Sequence, residues 1–142
     1  MPWTVSWLDD QEQVIELIPV DPWDWDEFKH ATQRAQAMTV DKAHKVDLVY
    51  NLGDDLTLPK GDEALAAPWL PMRDVLLQTP PNRGLVVLIA APLFIESIVK
   101  NLQSAVKDQR PTKNIRFAET MREARQALNE ARTARGDAPL AG

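Results

Sequence analysis

The chain has 142 residues, a formal net charge of −5 and no cysteine. That length suits one domain with a core of its own, and the missing thiols exclude disulfide frameworks, thiol catalysis and zinc–thiolate sites together. Residues 1–63 carry fourteen acidic against five basic side chains and residues 64–142 seven against eleven, so either unlike surfaces of two copies meet or the charges line solvated faces of one domain.

No apolar run is long enough to span a bilayer, and MPWTVSWLDD has neither the basic region nor the apolar stretch of a signal peptide. The sequence therefore reads as cytoplasmic. Two short runs open the chain, Trp3 to Leu8 and Gln13 to Val20, with Trp3, Val5 and Trp7 alternating with Thr4 and Ser6. They predict an antiparallel hairpin around the polar turn Asp9 to Glu12.

In DPWDWDEF, Asp21 is the expected helix cap and Pro22 the expected first helical residue, with Asp24, Asp26 and Glu27 charging the first turns. The helix should run from Pro22 to Met38, burying Trp25, Phe28, Ala31, Ala35 and Met38. Trp23 and Trp25, two apart, cannot share that stripe, so one of them is expected on the hairpin or partly exposed. Val46 to Leu52 is the next expected strand, followed by the loop DDLTLPKGDE and a helix shortened by Pro68 and Pro71, from Pro71 to Gln78.

The central stretch is RGLVVLIAAPLFIESIVKNL, Arg83 to Leu102. Its apolar run from Leu85 to Ala91, bounded by Gly84 and Pro92, predicts a strand covered on both faces. Ile95, Ile98, Val99 and Leu102 then mark an amphipathic helix to Lys107, with Pro92 in its first turn. Asn114 to Ala118 should form the last strand, with Ile115 and Phe117 on one face. Thr120 and Glu123 form a capping box for a final helix along Ala124, Ala127, Leu128 and Ala131. The expected organisation is one domain over residues 1–135 and a frayed tail over 136–142. The fold class is α/β (α+β), with elements in the order ββαβαβαβα: a mixed five-stranded sheet with an N-terminal antiparallel hairpin and about four helices.

Enzyme signatures fit poorly. The chain has no nucleophile elbow and no phosphate-binding glycine loop. His30 and His44 read as surface or packing residues. Asp9-Asp10 resembles the acidic pair of a phospho-acceptor domain, but Asn51 and Glu119 stand where that domain needs Asp and Lys. Asp54, Asp55, Asp62 and Glu63 lack the spacing and glycine of a calcium loop and read as solvated. No cofactor or metal is expected. Arginines crowd the C-terminal part without interleaved aromatics, which argues against nucleic acid, and the last helix is too weakly apolar for a membrane surface.

The stretches WDWDEF at 23–28, VDLVYNLG at 46–53, RGLVVLIAAPLFIESIVKNL at 83–102 and IRFAETMREARQAL at 115–128, in this element order, resemble the STAS-like domain of bacterial anti-sigma-factor antagonists and sulfate transporters, in the variant group joined with lipid-binding SEC14 proteins. The resemblance implies a mixed sheet with helices against it, no catalysis, and work through protein contacts or a small ligand near the loop after the third strand. In the antagonists that loop presents a phosphorylatable serine. Here it reads GDDLTLPKG, with Thr57 as its only hydroxyl and Asp54 and Asp55 as permanent charge near the switch position.

The expected function is thus a non-catalytic interaction module whose partner site comprises Asp54, Asp55, Thr57, Trp69 and Arg73, with Trp69 either an anchor or a core residue. One alternative is a self-assembling subunit of an oligomer or filament. The other is a lipid- or nucleotide-binding domain with an anion site at Pro92, Leu93 and Phe94.

Overall fold

The computed structural model describes residues 3–53, 79–93, 95–97, 99–100 and 114–140. Strands β1 (Thr4–Trp7), β2 (Val14–Ile18), β3 (Val46–Asn51), β4 (Arg83–Ile89) and β5 (Ile115–Ala118) form one sheet in which spatial order follows sequence order. β1 and β2 are antiparallel and every later neighbour is parallel. The mixed α/β class and the N-terminal hairpin expected from the sequence are therefore present.

Helix α1 (Trp25–Val40) connects β2 to β3, and α2 (Met121–Ala134) follows β5. Residues 93, 95–97, 99 and 100, after β4, are also helical. The expected helix from Pro71 to Gln78 lies outside the described residues. Parallel neighbours in sequential order need crossovers that advance in one direction, and right-handed crossovers of that kind fall on one face of the sheet. Ala31 and Ala35 of α1 accordingly share a core cluster with Ile95, Val99, Leu48, Tyr50 and Leu88. The opposite face, with Val49, Leu85, Val87 and Ile89, is closed by Ala124 and Leu128 of α2. Cover on both sides explains why β3 and β4 read as nearly unbroken apolar runs.

The hairpin closes through Leu8 N–H donating to Val14 C=O (2.7 Å). Asp9 Oδ1 accepts from the N–H groups of Gln13 and Val14 at 2.9 and 3.0 Å, so this carboxylate organises the turn.

The start of α1 corrects the sequence reading. The cap is Asp24, whose side chain accepts from Glu27 N–H at 2.8 Å, and the helix begins at Trp25. Asp21 and Pro22 precede it at a bend, joined by a cis peptide bond, and Trp23 meets Trp3 edge-on, with ring centroids 5.6 Å apart. Both Trp23 and Trp25 are buried, at 1% and 7% exposure. Since Trp23 lies outside the helix, the rule that separates residues two apart does not bind it. Phe28, Ala31 and Ala35 are buried as expected, with Met38 half-buried against them.

Two further boundaries differ. Pro92 stands just before the helical residues, where its carbonyl accepts from Ile95 and Glu96 N–H at 3.0 and 3.1 Å. At α2, Thr120 accepts from Glu123 N–H (3.2 Å), but Glu123 Oε2 reaches back to Glu119 N–H (2.8 Å), one residue earlier than a reciprocal box. Gly136, at φ +84°, turns the chain after α2 in the left-handed conformation common past helix ends. Beyond it the sequence reads as a frayed tail, yet residues 136–140 are engaged: Asp137 N–H donates to Arg132 C=O (2.7 Å), Leu140 N–H donates to Asn129 Oδ1 (2.8 Å), and the Leu140 side chain packs on the second core cluster.

Candidate functional site

Two features concentrate the polar chemistry of the described residues, and one irregularity in the sheet joins them. Opposite Val46 and Leu48 of β3 stand Arg83 and Val86 of β4, so β4 spends one extra residue there. Such a bulge re-aims side chains. Val86 and Leu88 belong to the α1 face and Leu85, Val87 and Ile89 to the α2 face. Strict alternation would send Arg83 to the α2 face; the extra residue returns it to the α1 face, where it lines a cavity with Val86.

Asp47 of β3 pins the bulge from the α2 side. Its carboxylate is fully buried and its Oδ1 accepts from Leu85 N–H at 2.7 Å. Arg135 grips it in a two-pronged pair, Nη1 to Oδ1 and Nη2 to Oδ2, both 2.9 Å. Arg132, whose side chain is 3% exposed, adds Nη1 at 3.7 Å from Oδ2. Gly84 makes room for this arrangement: a Cβ there would overlap Asp47 Oδ1 and lie 2.7 Å from Arg135 Nη1.

The latch extends into the C-terminal segment. Arg132 donates from Nε to Ala138 C=O (2.7 Å) and from Nη2 to Gln13 Oε1 (2.6 Å). Arg135 Nε donates to Asp137 Oδ2 at 2.6 Å. The hydrogen bond to Asp47 raises the Arg135 pKa against the opposing effect of burial, with smaller support from Asp137. The Asp137 carboxyl is held below its usual range first by its hydrogen bond to Arg135. Two buried or half-buried guanidinium groups thus meet two carboxylates, and the cluster's formal charge balances.

On the α1 face lies an apolar cavity of about 60 Å³. Trp3, Phe28, Leu48, Val86, Leu88 and Ile115 are among the residues that line it. Thr32 and Tyr50 also line it, and Tyr50 Oη and Thr32 Oγ1 are hydrogen-bonded to each other at 2.9 Å. Burial pushes the Tyr50 phenol above its usual range, with the Thr32 bond and the Arg83 charge opposing. Arg83 Nη2 donates to Thr39 Oγ1 (3.0 Å), and that hydroxyl in turn donates to Ala35 C=O (2.8 Å). Arg83 Nε is buried without a hydrogen-bond partner. Burial pulls the Arg83 pKa down, opposed by Tyr50 and Asp47.

Of the residues singled out by sequence, Asp54, Asp55, Thr57, Trp69, Arg73 and Phe94 lie outside the described residues. Leu93 is 81% exposed and Pro92 half-buried. His30 is exposed, and His44 Nε2 pairs with Glu12 C=O at 2.9 Å. Asn51 donates to Glu16 Oε2 (3.1 Å). Among the described residues no group of three His, Asp or Glu could hold a metal ion, and no helix is long and apolar enough to cross a membrane. Sequence reasoning missed Asp47, Arg83, Gly84, Arg132 and Arg135. A signal existed: Asp47 is a carboxylate between Val46 and Leu48 inside a buried strand, which requires a cationic partner.

Comparison of the chain with protein-family models, with curated proteins and with solved structures finds no match.

Proposed function

We propose that the chain is a STAS-like, non-catalytic interaction module that acts through protein contacts in the cytoplasm. The observation that carries the reading is the order of the described elements: an antiparallel hairpin, a crossover helix, then parallel strands added one after another, with α2 closing the far face. This follows the ββαβαβαβα order of the resemblance wherever the elements are described. The second helix of that order, between β3 and β4, belongs to the proposal.

In this reading the contact region runs from Gly53 to Asp74. Asp54 and Asp55 supply fixed negative charge where the antagonists carry a phosphorylated serine, Thr57 and Arg73 add polar contacts, and Trp69 anchors. The partner is a protein with a basic patch. The test is an affinity capture from cells of the source organism with the wild-type chain and with Asp54→Asn/Asp55→Asn. A protein enriched by the wild type and lost with the charge-neutral variant supports the module; the same protein set with both chains refutes the role of the aspartates.

Uneven charge also suits the alternative of a self-assembling subunit. Part of it is satisfied within one molecule, since Arg132 and Arg135 of the basic region meet Asp47 of the acidic one. That favours the partner module over a charge-driven filament.

A further inference from the structure

The geometry points to the cleft between the β1–β2 turn and α2, where Leu140 sits, as a docking site for an extended segment of another protein, of the type Ala-Pro-Leu-Ala-Lys. The leucine enters the cleft and a basic side chain two residues further on meets the carboxylates of the turn. Residues 138–140 hold the site in cis as an autoinhibitory contact. This goes beyond the contact region proposed above and stands independently of it.

The first ground is that α2 reads the main chain of whatever lies along it. Arg132 Nε donates to Ala138 C=O at 2.7 Å, and Asn129 Oδ1, about one turn earlier, accepts from Leu140 N–H at 2.8 Å. Residues 138–140 therefore run back along α2, antiparallel to it. Pro139 between them has no N–H that would need an acceptor. Both contacts are to backbone groups, which any extended segment of the same shape carries, so selectivity falls to the side chains.

The second ground is the cleft itself. Leu140 packs on the second core cluster and lines the cleft with Leu8 and Val14 of the hairpin, Asp9 and Asp10 of its turn, and Arg125 of α2. The resident segment uses only its apolar part. Among the described residues no hydrogen bond or ion pair engages the side chains of Asp10 and Arg125. Two carboxylates against one guanidinium leave this rim formally negative, which suits a basic side chain that the resident leucine does not supply.

The third ground is that residues 138–140 are lightly held and free to leave alone. Asp137 N–H donates to Arg132 C=O at 2.7 Å and Gly136 N–H to Thr133 C=O at 3.1 Å, so α2 is closed off before the segment begins. Ala138 and Pro139 are exposed and belong to no helix or strand. When the segment leaves, Arg132 keeps Asp47 and Gln13. A second copy would bring the same three residues without the advantage of tethering, whereas a partner segment gains on the resident one through its basic residue.

The test uses the whole chain, as wild type and as Leu140→Gly, which removes the resident anchor without adding charge. Each is titrated with acetylated, amidated Ala-Pro-Leu-Ala-Lys while NMR follows the Leu8, Asp10 and Asn129 amides. The expected result is saturable shifts of the same amides in both chains, with binding to Leu140→Gly tighter by about tenfold because the competing segment is gone. Norleucine in place of the peptide's lysine should weaken binding to the wild type by about threefold, the scale of an exposed ion pair, and alanine in place of its leucine by about tenfold. No saturable shift in either chain, equal affinity of the two chains, or altered peptides that bind as tightly as the parent overturns the proposal. Shifts of these amides that grow with wild-type concentration in the absence of peptide would assign the cleft to a second copy and overturn it as well. The peptide series on the wild type decides the matter without relying on the variant's fold.

Discussion

Gly84→Ala should destabilise the protein by about 3–4 kcal/mol, and nearly all of that loss should pass through Asp47. The backbone at Gly84 lies outside the left-handed region, so alanine costs little by conformation. What the new methyl meets is the Asp47 carboxylate, which must leave its place. Displacing it removes the acceptor 2.7 Å from the buried Leu85 N–H and breaks both 2.9 Å contacts with Arg135. It also leaves Arg132, 3% exposed, without its counter-ion. Removing one partner of a buried ion pair costs about 3–5 kcal/mol, so Asp47→Ala should fall in the same range. The two losses should not add. With Asp47 shortened to alanine, the extra methyl at 84 enters vacated space, and the double variant should be within about 1 kcal/mol of Asp47→Ala alone. Urea unfolding of the wild type, both single variants and the double variant gives the four corners of the cycle. If the single losses add to within about 0.5 kcal/mol, the coupling assigned to Gly84 and Asp47 is refuted.

The other predictions concern Tyr50 and Thr120. Burial raises the folded-state pKa of Tyr50, so the stability tied to its neutral phenol is fully present below the ordinary phenol value of about 10 and is lost as pH rises from there through the folded value. Phenolate absorbance should appear only above the usual range, together with loss of folded structure; ionisation at the ordinary value in a folded chain would contradict this. Thr120→Ala should cost about 1 kcal/mol by removing the acceptor for Glu123 N–H, read as a lower urea midpoint, whereas Thr120→Ser should cost much less.

Local pattern carried the sheet and failed at contacts distant in sequence. The alternation in WTVSW, the apolar run after Gly84 and the Thr120 cap are short-range signals, and the structure contains the elements they predict. The cap of α1 moved from Asp21 to Asp24 because both residues offer the same local chemistry, and only the packing of Trp23 against Trp3 separates them. Arg132 and Arg135 look in the sequence like solvated helix positions. They are drawn inward by a carboxylate 88 residues before Arg135, a pairing no local window reveals. Arg83 was hidden for a different reason. Its side of the sheet depends on one extra residue in β4, and apolar residues on both sides of that point remove the alternation that would have disclosed it.

The strands lengthen and then shorten across the sheet. Both edges, β1 and β5, have four residues, while β3 and β4 at its centre have six and seven. An exposed edge is a template on which a foreign strand can grow, and short edges offer too few consecutive backbone groups to hold one. Among the described residues the sheet therefore ends where it is least able to recruit another chain. The short edges of the described sheet work against strand-on-strand stacking.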